Sequence, residues 1–130
     1  MTIQLIDPAD LPPQSTYTHV VVAAGTAMVF IAGQEPEDAH GNTVAPGDLA
    51  AQARQVYANL GRALTAAGAR PDQVAKITIY VVDYKSECLP VIEHARVELF
   101  GEHKPADTLI GVARLARPEF LIEVDAIAVK

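Results

Sequence analysis

The chain has no tryptophan and only seven other aromatics, four Tyr and three Phe, so any core it builds is aliphatic. It has one cysteine, Cys88, which excludes an internal disulfide and, with no motif around it, marks no nucleophile. Basic residues are few, ten Lys and Arg against sixteen Asp and Glu, and they are scattered instead of forming a stripe. A net charge of −6 repels phosphate backbones at long range, which argues against a nucleic acid as the main partner. No apolar run approaches the roughly 20 residues that a membrane-spanning helix needs. The opening "MTIQLIDPADLPP" has neither a basic n-region nor a long apolar h-region, and the expectation is a cytoplasmic protein. Glycine-rich phosphate loops, a nucleophile elbow and HExxH are all missing, and His19, His40, His94 and His103 lack metal-ligand spacing. Neither a metal nor an organic cofactor is expected.

What is present is an aliphatic chain of 130 residues, half of them apolar, enough for a single domain spanning 1–130. "YTHVVVAAGTAMVFIAG" reads as two strands of a hairpin around Ala24, Gly25 and Thr26, and "QEPEDAHGNTVAPGD" as a loop with a small ribbon. From Asp48 to Ala67 the positions Leu49, Ala53, Val56, Leu60 and Leu64 step by three or four, with Asp48 as N-cap and Gly68 as stop. "QVAKITIYVVD" alternates as a strand. Ser86 can cap a second helix that ends near Phe100, and "ADTLIGVARL" and "FLIEVDAIAV" are two final strands. The order ββαβαββ predicts an α+β domain, a single mixed sheet with two helices on one face. Several strands are apolar on both parities, so the uncovered face should meet another copy of the chain, and a cleft between copies is the first place to look for a ligand.

Acids stand inside two of these strands. Glu123 and Asp125 share a face with Leu121 and Ile127, and Asp107 lies two residues before Leu109 on the same side of the pleat. A carboxylate in so apolar a setting needs a partner or a cleft. For Glu123 the alternatives are an ion pair with an arginine such as Arg114, or a general acid/base role; for Asp107 they are a loop cap, a pair with Lys104, or a ligand contact. Asp125 reads as a surface or interface charge.

In this order, "AGQEP", "AQARQVYANLGRALTAAGA", "VAKITIYVVDY", "PADTLIGVARL" and "IEVDAIAV" resemble the RidA family, also called YjgF, whose members carry "GQIP", "Q.RQ...N....L..AG", "V.K.T.F..D", "PAR....V..L" and "EIEAIA". The likeness runs from about Tyr17 to the end. It implies a chorismate-mutase-like fold assembled as a homotrimer, with three intersubunit clefts for a small molecule and no cofactor. It also implies hydrolysis of reactive enamines or imines, such as 2-aminoacrylate, to a keto acid and ammonia. By the same resemblance Tyr17, Gly33, Gln34 and Glu123 match cleft residues of the family, Glu123 being the one that positions the hydrolytic water. Three positions depart from the deaminase branch. Asp107 replaces the arginine that clamps the substrate carboxylate, Glu93 stands for a helix asparagine, and Leu109 stands where cysteine is common.

These departures expect a neutral or cationic ligand, since an anionic 2-imino acid would meet like charge at Asp107. The readings left open are an enamine/imine deaminase of a non-standard substrate, with Glu123 and Tyr17 in the chemistry and Asp107 or Glu93 at the nitrogen, or a non-catalytic trimeric binding or protein-interaction module. An endoribonuclease or translation inhibitor fits the acidic cleft less well.

Overall fold

The computed structural model describes residues 2–130. Its strands are β1 (Thr2–Ile6), β2 (Val20–Ala24), β3 (Met28–Gln34), β4 (Val74–Val82), β5 (Ala106–Val112) and β6 (Ile122–Val129), and its helices α1 (Leu49–Ala66) and α2 (Cys88–Phe100). β3, β6, β4 and β5 form a mixed sheet in that order, antiparallel except for the β4–β5 pair, while β1 and β2 form a separate antiparallel ribbon. The α+β class and the two helices follow the expectation. The sheet is divided into four strands and two, and β1 is an added strand.

The hairpin expected around Gly25 does not close: β2 pairs with β1, and β3 pairs with β6. Gly25 serves close approach instead of a tight turn, since a Cβ there would lie 2.7 Å from Val129 Cγ1, and the neighbouring Thr26 and Ala27 amides both donate to the Lys130 carbonyl at 2.9 Å. The small ribbon is present as the Glu37–Thr43 bridge.

α1 begins where its signals place it. The Asp48 side chain accepts from the Ala51 amide at 3.1 Å, and Gly68 just past the end has φ +71°, a conformation that glycine adopts without strain. Its apolar stripe buries Ala53, Val56, Leu60 and Leu64 over β6 and β3, in one core with Ile122, Val124 and Ala126 of β6, Ile31 of β3 and Ile77, Ile79 and Val81 of β4. Each such aliphatic side chain contributes roughly 1.5–3 kcal/mol on burial. α2 starts at Glu87 with no side-chain cap, so Ser86 does not play the part expected of it; its backbone carbonyl accepts from Leu89 instead. Both helices lie on one face. On the other face Phe30 and Met28 are 71% and 61% exposed, and Val20 and Val22 of the ribbon are exposed as well.

Candidate functional site

β5 is an edge strand whose register with β4 sets Asp107 beside Ile77 and Leu109 beside Ile79, both on the helix-covered face. Asp107 therefore points under α2. There it lines a pocket of about 300 Å³ with Glu93 and Leu89 of α2, Leu109, Tyr84, and Gln14, Thr16 and Tyr17 from the segment joining β1 to β2. That segment is held by Thr18, which is buried and donates from its amide and hydroxyl to the Pro105 and Lys104 carbonyls. Tyr17 packs edge-on against His19, ring centres 5.4 Å apart. Four of the residues expected at the site, Tyr17, Glu93, Asp107 and Leu109, thus meet in one pocket.

Its electrostatics differ from a bare pair of acids. Glu93 is already engaged: Arg96, 2% exposed, donates from Nε to both carboxylate oxygens at 2.8 and 3.0 Å and from Nη1 to the His103 carbonyl at 3.2 Å. A buried guanidinium anchored this way offsets part of the Glu93 charge. Asp107 has no ion pair within 4 Å among the described residues, so neither Lys104 nor Arg114 neutralises it; the nearby Lys76 donates instead to Thr108 Oγ1 at 2.6 Å. Burial, and then the Glu93 carboxylate, push the Asp107 carboxyl up to about 6, against the pull of Arg96 and Lys76. The Tyr57 hydroxyl is buried without a hydrogen-bond partner among the described residues, and burial, Glu93 and Asp107 all oppose its ionisation.

Glu123, Gly33 and Gln34 do not join this pocket. Glu123 pairs across the ladder with Tyr80 on the open face, and its carboxyl lies over Gly33, where a Cβ would collide with Oε2. Gly33 is at the register shift in β3, and with Gln34 it lines a wider cavity of about 870 Å³ against α1. β3 and β5 are opposite edges of the four-stranded sheet, three strand spacings or about 14 Å apart. Asp125, beside Glu123, accepts from the Tyr80 hydroxyl at 3.1 Å. Among the described residues no three His, Cys, Asp or Glu side chains are grouped to hold a metal ion.

Two residues at these places were absent from the sequence reading. Arg96 sits at the i+4 position from Ile92, a core-facing place for a charged residue and three residues from Glu93, which is a readable signal. Glu35 could be found from "AGQEP" itself, an acid where the resembling motif has isoleucine.

The molecule is thus an α+β protein with a small acid-lined pocket at one sheet edge and, on the opposite face of the sheet, a glutamate on the interior strand β6. The endoribonuclease L-PSP family model matches residues 8–130, and the chain belongs to that family, which includes the RidA and RutC proteins. A RutC family protein of Pyrococcus horikoshii is 36% identical over 118 residues, covering 91% of this chain and 90% of that one. A 2-iminobutanoate/2-iminopropanoate deaminase of Salmonella typhimurium is 35% identical over 107 residues, 80% of each chain. The crystal structure of the Rid-family protein YyfB from Yersinia pestis superposes with a TM-score of 0.94 at 35% identity over 100% of both chains.

Proposed function

We propose that the protein works as a homotrimer whose intersubunit clefts hydrolyse the C=N bond of a small imine or enamine, with a neutral or cationic group, not a carboxylate, at the Asp107 end. The deaminase-like part of this reading is supported by relatives named as imine deaminases. The trimer is supported by the open sheet face, where Phe30 and Met28 are exposed, and by the placing of Asp107, on the edge strand β5, and Glu123, on the interior strand β6, on opposite faces of one protomer. A cleft that uses both needs two copies. In it, Glu123 of one copy takes a proton from water, while Tyr17 and Asp107 of the other hold the substrate nitrogen.

The observation that carries the substrate class is the Asp107 carboxylate, half-buried and without an ion pair in a pocket of about 300 Å³. At pH 7 a carboxyl of pKa about 6 is mostly ionised. Two like charges 4 Å apart near a protein surface repel by about 4 kcal/mol, roughly a thousandfold in affinity. A 2-imino acid oriented toward Asp107 meets that repulsion, whereas an iminium or amine gains the opposite sign.

The test is a coupled assay of keto-acid release from freshly generated 2-aminoacrylate, run beside ammonia release from imines that lack a carboxylate, for wild type and Asp107→Arg. We expect the wild type to favour the uncharged or cationic imines and Asp107→Arg to shift preference toward 2-aminoacrylate by at least tenfold. A wild type that hydrolyses 2-aminoacrylate as fast as the arginine variant sinks the charge argument. Imines that raise the melting temperature without being consumed would favour the binding module over the enzyme.

A further inference from the structure

Arg96 lies on the core side of α2 with Ile92, Ala95 and Phe100, and a guanidinium so placed is costly unless its charge is matched. Its match is Glu93, one helical turn back, whose two carboxylate oxygens both accept from Nε. The guanidinium is also tethered from the other side. Nη1 donates to the His103 carbonyl at 3.2 Å, and the His103 ring donates from Nε2 to the Val74 carbonyl at 2.8 Å, at the start of β4. Arg96 is thus fixed between α2 and the sheet and is not itself a wall of the pocket.

The pocket in front of this pair has an uneven lining. Asp107 and Glu93 supply its carboxylates, Ile79, Leu89 and Leu109 its aliphatic wall, and no lysine, arginine or histidine lines it among the described residues. Glu93 faces it with a counterion attached, and Asp107 with none within 4 Å. Counted formally, two carboxylates and one guanidinium leave one negative charge, and the unmatched group is Asp107. Both members of the pair act on it: after burial, Glu93 raises the Asp107 carboxyl and Arg96 lowers it. A singly charged ammonium or iminium answers Asp107 and lays its apolar remainder on the aliphatic wall. A second ammonium on the same ligand finds only a carboxylate already shared with a buried guanidinium, and it loses hydration against apolar side chains.

We propose that Arg96 sets the number of charges the pocket accepts: by engaging Glu93 it leaves a site for a monocation with a short apolar body and disfavours a dication of the same length. This rests on the reading of the Asp107 pocket as a site for a cationic group, and it narrows the substrate class to the imine or iminium of a simple alkyl monoamine. Arg96 acts through Glu93 and is a positioning residue.

The experiment is an NMR chemical-shift titration of the full-length protein at pH 8, where Asp107 is ionised, with butylamine, 1,4-diaminobutane and butanoate as probes. In the wild type butylamine is expected to bind at least tenfold more tightly than either of the others, with the shifts centred on Asp107 and Leu109. A diamine that binds as tightly as the monoamine overturns the proposal, whatever the variants do. Arg96→Gln is expected to move the ratio of the two affinities at least tenfold toward the diamine, and Arg96→Lys, which keeps the charge, to hold it within threefold of wild type. A folded Arg96→Gln protein with the wild-type ratio also overturns the proposal, because an arginine that only supports the fold changes stability and not charge preference. The hydrolytic reading fails separately. A wild type that selects butylamine but consumes no imine loses the reaction and keeps the charge selection, whereas one that hydrolyses imines and binds both amines alike loses the charge selection alone. Tightest binding of butanoate removes both the cation site and the part given to Arg96.

Discussion

An ionised Asp107 is poorly suited to its surroundings. Its folded-state carboxyl titrates near 6 against an ordinary value of 3.8, so the folded chain holds that proton more tightly than the unfolded chain does. The sign follows: below pH 3.8 the group is neutral in both states and contributes nothing, between 3.8 and about 6 it becomes increasingly destabilising, and above 6 the penalty is complete. Asp107→Asn should therefore raise the melting temperature at pH 8 by on the order of a few °C and leave it nearly unchanged at pH 4. Equal shifts at both values, measured by calorimetry, would show that packing and not charge sets the difference. A residue retained against the stability of the fold is a candidate for work in the pocket.

At the scale of the element, α2 is organised around a charge pair as well as an apolar stripe. Arg96 is buried between Glu93 and the His103 carbonyl, so removing it leaves Glu93, 17% exposed, without its counterion. Arg96→Met is expected to lower stability by about 3 kcal/mol, read from urea unfolding, and Glu93→Leu added to it should recover part of the loss. A fully additive double variant would mean that the two side chains do not interact. The elements themselves were legible to different degrees. α1 announces itself through Asp48, a regular stripe and Gly68, all local signals. β1 is five residues ahead of a proline-rich stretch and carries little pattern of its own, and the partner of β3 is β6, about a hundred residues away, so the local appearance of a hairpin misleads. Site residues divide in the same way. Tyr17, Glu93, Asp107 and Leu109 could be collected by resemblance, but the Glu93–Arg96 pair depends on which side chains the packing brings together.

For the whole molecule the open sheet face is the feature still to be covered. Phe30 is the most exposed of the large apolar residues there. If the proposed trimer closes over this face, Phe30→Arg should reduce the mass measured by light scattering from three copies to one, with the helical signal kept; an undiminished trimer would take this face out of the interface. The smaller pocket has a different kind of openness. One of its walls, Gln14 to Tyr17, belongs to no strand or helix, and the segment that carries it is pinned by the Thr18 bonds and by the His19 amide on Asp7 Oδ1 at 2.8 Å. Changes of length or composition between Pro8 and Thr16 would recontour this pocket without disturbing the aliphatic core beneath α1. The shape of the pocket is therefore something that loop grafting can retune while the scaffold stays as it is.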